Sequence, residues 1–467
     1  MQERRAHAMK KSIFAQESIT DGVIWRGMLA FFLPIMCGTI LQQLYNTADA
    51  IIVGQALGKV ALAAVGGSAT RIIALSVNFF VALASGVSVI ISQHFGAGHK
   101  EIVKKGIFTG MLLSAFCGII MTVVGVAFAR PILLLMETPP ETVDNATIYL
   151  RIFFLGMVPS MVYNMGSGIL RAMGDSTRPL RILVACVVTN IGLDLLFVLV
   201  FRWGIAGAAA ATSLSQVLCA VLVLATLRKL PEDISLEWDR ELFNRSMLER
   251  MISIGLPAGA QSAMFGIANI IIQVGINALG TDTVAGWTAF SKLDDYFWPA
   301  SSAIGIAVMT YVGQNYGAGR PERVKQAIHQ GRIMFAILSL FFTVTICTFR
   351  YPLMRLFVGD DPVVVEIGAK ICLMSLCYIF CIFMEVYSSA MRGVGCAIMP
   401  SIITMIFVCG LRLSYLWLYG FSHLSLFNIA LIFPVSWAAC SAAFAVYYHS
   451  GKWMPRPKPL SALSQLK

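Results

Sequence analysis

Twelve transmembrane helices arranged as two six-helix bundles, in an all-α integral membrane protein, are the architecture this chain predicts, on three observations. Of its 467 residues 58% are hydrophobic and only 13% charged, with a mean hydropathy of +0.77, whereas a soluble protein carries roughly 25% charged residues. Twelve apolar runs are long enough to cross a bilayer. The chain also repeats itself. Residues 93–107 read QHFGAGHKEIVKKGI and residues 314–328 read QNYGAGRPERVKQAI, with eight of fifteen positions identical at an offset of 221. The same offset carries Arg71 onto Lys292, Pro131 onto Pro352, Arg171 onto Arg392, Gly174 onto Gly395 and Pro179 onto Pro400. Two similar bundles can rock about a site between them, so a duplicated polytopic membrane protein points to transport.

The runs lie near 27–52, 60–91, 106–128, 143–168, 181–201, 205–227, 249–277, 284–313, 329–349, 364–390, 398–419 and 424–449. The second and eighth are long for one span and are expected to tilt or to extend beyond the bilayer. This divides the chain into an N-terminal segment (1–26), a first lobe (27–227), a linker (228–248), a second lobe (249–449) and a tail (450–467). The linker is the longest polar stretch and mixes Arg228, Lys229, Glu232, Asp233, Glu237, Asp239, Arg240 and Arg245.

Lys and Arg set the orientation. With the N-terminus inside, Arg4, Arg5, Lys10, Lys11 and Arg26 are cytoplasmic. So are the loops holding Lys100, Lys104 and Lys105, then Arg171, Arg178 and Arg181, then Arg320, Arg323, Lys325 and Arg332. The linker, Arg392 and the tail join them, while the outside loops keep only Lys59, Arg130, Arg202, Arg350 and Arg355. Both termini are therefore expected in the cytoplasm, with the halves parallel about an axis along the membrane normal. Residues 1–24 contain no apolar core before a small-residue cleavage site, so the first span is expected to direct insertion.

The net charge of +11 is spread through short loops, which favours topology over nucleic-acid binding as its explanation. The 11 cysteines fall almost wholly in apolar runs, for example Cys117, Cys186 and Cys409, and read as small buried apolar residues. Cys377 and Cys381 lie one turn apart, with no His or second pair to complete a metal set. There is no GxxxxGK[ST] for ATP, and no HExxH, intramembrane paired-Asp protease motif or Ser–His arrangement within the spans. Enzymatic and ATP-driven functions are accordingly not expected. The glycines of the repeated GAG loops suit tight turns at helix ends rather than phosphate binding.

An ionisable residue inside a span costs about 2.5–3.5 kcal/mol on insertion scales, so each one asks for a reason. Asp49 stands late in the first run, in LYNTAD. Asp194 stands two-thirds along the fifth, in TNIGLD, with Asn190 one turn before it on the same face. Tyr149 and Thr212 enter their runs from the outside and reach the same depth. Two carboxylates in a poorly hydrated bundle repel each other, and burial disfavours their charged forms. Such a set either takes up a proton, gathers a small cation with the neutral oxygens, or serves as a hydrogen-bonded plug between helices.

The chain resembles the multidrug and toxic compound extrusion (MATE) transporters over nearly its whole length, through PIMCGTILQQLYNTADAIIVG, GILRAMGDSTRP and GIAGAAAAT. Its first lobe is most similar to the DinF-like branch. That resemblance implies a V-shaped pair of bundles in a bacterial cytoplasmic (inner) membrane. It implies export of small-molecule drugs or toxic organic compounds, often cationic, in exchange for H⁺ or Na⁺, with no cofactor. It also implies coupling through Asp49, Asp194, Asn190, Tyr149 and Thr212, with Na⁺ as the one metal the set could hold. The NorM-like branch adds a Glu on the seventh helix; here that run reads GLPAGAQSAMFGIANIII, with no acid, so coupling through the first lobe is favoured.

Pro34, fifteen residues before Asp49 on the same run, removes a backbone hydrogen bond and is the expected hinge, the alternative being a static kink. In the second lobe Asp294 and Asp295, in FSKLDDYFWP, and Glu385 are candidates for a substrate cavity. A carboxylate beside Tyr296, Phe297 and Trp298 suits a lipophilic cation. The alternative for the two aspartates is an internal ion pair with Lys292. Membrane lipid is the expected surrounding, a monomer the expected form and nucleic acid no partner. The rival function is a flippase for lipid-linked oligosaccharides or lipids of a related fold.

Overall fold

A computed structural model describes residues 19–419 and 425–454; most of the expected N-terminal segment and tail lies outside the described residues. Apolar chain in lipid must satisfy its backbone internally, and among the described residues all the regular structure is helical. The first lobe contains α1 (Ile24–Leu57), α2 (Val60–Gly96), α3 (Lys100–Leu135), α4 (Pro140–Leu155), α5 (Met157–Ala172), α6 (Thr177–Val200) and α7 (Gly204–Arg228). The second contains α8 (Arg245–Asn277), α9 (Thr281–Gly317), α10 (Pro321–Thr348), α11 (Arg350–Val358), α12 (Pro362–Gly393), α13 (Ile398–Leu418) and α14 (Leu426–His449).

Ten of these helices are long and apolar enough to cross a membrane, and α4 with α5 forms an eleventh span bent by 51° at Gly156. The expected fourth span is therefore two short helices. α9 occupies the eighth place at 37 residues, but Lys292, Asp294 and Asp295 and many small or hydroxylic residues keep it below that apolar standard. The short α11 was not expected. The GAG loops are helix-ending turns of identical construction. His99 N–H bonds the His94 carbonyl and Gly98 N–H that of Phe95; Arg320 and Gly319 repeat this on Asn315 and Tyr316. Gly98 and Gly319 take the left-handed φ of +77° and +69° that this motif demands.

The lobes meet backbone to backbone at the end bearing these turns. A Cβ on Gly86 of α2 would strike the Met251 carbonyl of α8, and one on Gly255 the Leu83 carbonyl. Gly96 likewise lies against Gln314 of α9, and Gly317 against Gln93 of α2. Two hydrogen bonds related by the 221-residue offset then cross the junction. Gln93 Nε2 donates to the Gly393 carbonyl at 2.9 Å, and Gln314 Nε2 to the Ala172 carbonyl at 2.7 Å.

The first helix of each lobe also crosses into the other. Ile24, Met28, Phe31, Phe32 and Ile35 of α1 belong to the hydrophobic core of the second lobe, whereas Val53 joins the first. In α8, Met247, Met251 and Ile254 pack in the first lobe and Ile272 and Ile276 in the second. Pro34 and Pro257 stand close to these crossings. The start of α1 is held on α10 by Arg320, bonded to Asp21 Oδ1 at 2.6 Å, and by Arg323, which donates to the Ile19 and Gly22 carbonyls.

The chain between α7 and α8 is clipped to α3. Lys100 pairs with Asp233, Lys104 with Glu237 at 2.7 Å, and Ile234 and Leu236 bury into the first lobe. The hydrogen bonds from Lys100 and Lys104 hold the Asp233 and Glu237 carboxyls below their usual ranges. Because these folded-state values are depressed, the clasp is fully formed above the ordinary carboxylate range and loosens as pH falls through the lowered values. Cys186 of α6 and Cys219 of α7, both buried in the first lobe as expected of small apolar residues, have Cα atoms 6.0 Å apart and pair as a disulfide, which the sequence did not indicate.

Two expectations follow. Gly96→Val should hold the lobes apart at the GAG end, making a cysteine placed in the cavity alkylable from that side where the parent protein protects it; unchanged protection would refute the contact. Cleavage of residues 229–244 by an acid protease should rise only well below the ordinary Asp value of about 3.9, and cleavage equally fast near pH 5 would show that the clasp contributes nothing.

Candidate functional site

Asp49 of α1 and Asp194 of α6 are brought together inside the first lobe, 8% and 0% exposed, within electrostatic reach of each other. Asp194 is the last residue of its α-helical stretch before a π turn over Leu195–Val200; such bulges re-aim side chains and recur at functional sites. Asn190, one turn earlier and 1% exposed, donates Nδ2 to Asp194 Oδ2 at 2.8 Å. With its amide so oriented, its oxygen accepts from the Thr212 N–H at 3.3 Å. Thr212 of α7 meets the Tyr45 hydroxyl at 3.3 Å, and buried Tyr149 of α4 faces both aspartates and Tyr45.

Oδ1 of Asp49 and Oδ1 of Asp194 are both buried with no hydrogen-bond partner among the described residues. A buried acceptor without a donor costs roughly 1–3 kcal/mol, more if charged. The cluster is thus rich in oxygen and short of protons or positive charge, and either a proton or a small hard cation answers that shortage. All five residues singled out in the sequence stand in it. Tyr45 was missed, although it precedes Asp49 by one turn in the same LYNTAD segment. At the offset of 221 the second lobe has Ile270, Leu411, Tyr415 and Phe433 in place of Asp49, Asn190, Asp194 and Thr212, so the chemistry resides in one lobe.

A second polar region lines a cavity of about 780 Å³ between the lobes. Its apolar wall includes Trp287, Phe290, Phe433 and Trp437; Asp294, Asp295, Trp298 and Glu385 also border it, whereas Tyr296, 38% exposed, is not part of the wall. Asp294 accepts from Trp298 Nε1 at 2.8 Å and from the Tyr378 hydroxyl at 2.6 Å, so its oxygens are engaged within the protein. Tyr378 reaches it from a tightened stretch of α12 over Cys372–Phe380, and stacks on Phe297 at 3.8 Å. Asp295 pairs with Lys292 at 3.7 Å. Both side chains are more than half exposed, so the pair adds little stability.

Three arginines border the same space: Arg171, Arg392 and Arg412. Arg171 and Arg392 were expected as ordinary loop charges. The structure corrects this, because α5 and α12 continue to Ala172 and Gly393, which keeps both residues in the last helical turn facing the gap between the lobes. Arg412 went unremarked in the sequence. It is 3% exposed, stacked on Phe433 at 4.3 Å and bonded to Ser436 Oγ at 2.9 Å. A basic residue inside an apolar run is the signal that could have found it.

The MatE family model matches residues 34–196 and again residues 257–418, once in each half of the chain. This chain belongs to the MatE family. Among curated relatives it is 29% identical over 444 residues to the probable multidrug resistance protein YpnP of Bacillus subtilis, covering 93% of this chain and 97% of that one. It is 26% identical over 433 residues to the probable multidrug resistance protein YoeA of the same organism, covering 91% of each. A solved structure described as the outward-facing conformation of a multidrug resistance MATE family transporter of the MOP superfamily matches with a TM-score of 0.86. That match has 22% identity over 93% of this chain and 97% of the other, a likeness of fold. The chain is a multi-pass MATE transporter built on the two-lobed repeat.

Asn190→Leu leaves Asp194 without its donor and should destabilise the protein by about 1–3 kcal/mol, read as a lower Tm of the detergent-solubilised protein at neutral pH. An unaltered Tm would overturn the bonding described.

Proposed function

We propose that this MATE transporter is a secondary active antiporter that exports lipophilic organic compounds, cationic ones among them, in exchange for H⁺ or Na⁺. The observation that carries this reading is the pair of carboxylates Asp49 and Asp194, buried with unpartnered oxygens in one lobe and set apart from the large cavity. A site that binds an ion in one place and cargo in another can couple the two only through a moving element, and α1 is suited to that role. It carries Asp49 in the first lobe while its opening turns pack in the second, with Pro34 close to the crossing.

In this reading the GAG end is cytoplasmic, with both termini on that side of a bacterial inner membrane, and the closed junction leaves the cavity open outward. Loading Asp49 changes its electrostatic interaction with Asp194, Tyr45 and Tyr149 and bends α1 near Pro34, displacing cargo. The protein acts as a monomer in lipid, without a cofactor. The names of YpnP and YoeA, both probable multidrug resistance proteins, support the substrate class.

Proteoliposomes should accumulate a fluorescent lipophilic cation when a pH or a Na⁺ gradient is imposed, and Asp49→Asn should reduce the rate at least tenfold. The gradient that works identifies the ion. Transport by the variant equal to that of the parent would remove Asp49 from coupling. Pro34→Ala should slow transport severalfold while leaving dye binding unchanged, and undiminished transport would argue for a static kink.

A further inference from the structure

The reading of the cavity as a receptor for cations leaves its arginines unexplained. Asp294 and Asp295, the acids expected to attract a cation, are engaged by Trp298 and Tyr378 and by Lys292 respectively. The Arg171 side chain forms no hydrogen bond or ion pair with any described residue, its electrostatic neighbour being the Tyr163 hydroxyl. Arg392 binds only Ser388, through Nη2 to Oγ at 2.6 Å and Nε to the carbonyl at 3.5 Å. Glu385 is within electrostatic reach of Arg392 but forms no ion pair with it. At the repeat offset the first lobe has Asn164 in place of Glu385, so Arg171 has no acid in the corresponding position. Two half-buried guanidinium groups on one cavity, with Glu385 as the single carboxylate that influences either, leave positive charge there for a further anion to meet.

Their position is set by the junction below them. Arg171 precedes Ala172 and Arg392 precedes Gly393, and those two residues supply the carbonyls that accept from Gln314 and Gln93 across the lobes. The two arginines therefore stand one on each lobe, on the floor of one cavity, immediately above the contact that closes it. We infer that Arg171 and Arg392 form an anion subsite that takes the carboxylate or phosphate of an organic molecule whose aromatic body lies against Trp287, Phe433 and Trp437. This inference rests on the proposal that the cavity holds the exported compound, and it narrows that compound to one bearing an anionic group beside its apolar or cationic part. Guanidinium suits this task because its planar fork holds both oxygens of such a group.

The test uses two fluorescent rhodamines that share one body, one with a free carboxylate and one as its methyl ester, with the detergent-purified full chain and fluorescence polarisation as the readout. The acid should bind the parent protein at least tenfold more tightly than it binds Arg171→Gln/Arg392→Gln. The ester should bind both equally, and Arg171→Lys should recover part of the acid's affinity. An unchanged affinity for the acid, or an equal loss for the ester, would overturn the subsite. Gradient-driven transport of the ester in proteoliposomes is scored separately, so its absence beside arginine-dependent binding of the acid would reject antiport and leave the subsite standing. If the acid fails to bind and fluorescent phosphatidic acid crosses the bilayer only when Arg171 and Arg392 are present, the anion is a lipid headgroup and the arginines keep their role.

Discussion

Everything in this protein is arranged around a junction where helices from opposite lobes touch through their backbones. Gly86 against Met251, Gly255 against Leu83, Gly96 against Gln314 and Gly317 against Gln93 leave no room for a side chain. In lipid there is little hydrophobic force to bring helices together, so close backbone approach, with its dispersion contacts and direct hydrogen bonds, supplies the attraction. The Gln93 and Gln314 bonds add direction to that contact. The cavity exists because the lobes meet tightly at one end and diverge from it.

The repeat gives this junction its near-symmetry, and the site chemistry breaks it. Both halves carry the same helix-ending turns, the same cross-lobe glutamine and the same arginine on the cavity floor. Among the described residues only the first half carries a buried acid pair. On the antiport proposed above, placing the carboxylates in the first lobe alone would let a single binding event act against a fixed counterpart.

Much of this was legible in the sequence, for identifiable reasons. Apolar run length marks spans, so the ten long apolar helices and the bent α4–α5 pair fall where runs were read, and α9 fills the eighth place with a less apolar helix. Acids within such runs cost too much to be incidental, so Asp49 and Asp194 stood out and led to Asn190, Tyr149 and Thr212. What escaped lacked a one-dimensional signal. Tyr45 is an ordinary residue for an apolar run, and only the fold sets it against Thr212. Arg171 and Arg392 lie at the ends of runs, where Lys and Arg usually mark a membrane face. Their role appears only when two helices from different lobes end beside each other. The break at Gly156 was hidden because the apolar pattern continues through it, and Cys186 and Cys219 meet across neighbouring helices that the sequence separates by 33 positions.

The exchange of α1 and α8 between the lobes has a mechanical consequence. Each lobe keeps part of its neighbour's first helix within its own core, so the halves are laced together as well as joined by chain. They cannot part or rotate freely as separate rigid bodies, because doing so would draw Phe31 and Phe32 out of one core and Met251 and Ile254 out of the other. Any relative motion of the lobes has to carry α1 and α8 with it, and each of those helices has a proline, Pro34 and Pro257, close to its crossing. The lacing would also hold the halves in register if the polypeptide between them were severed.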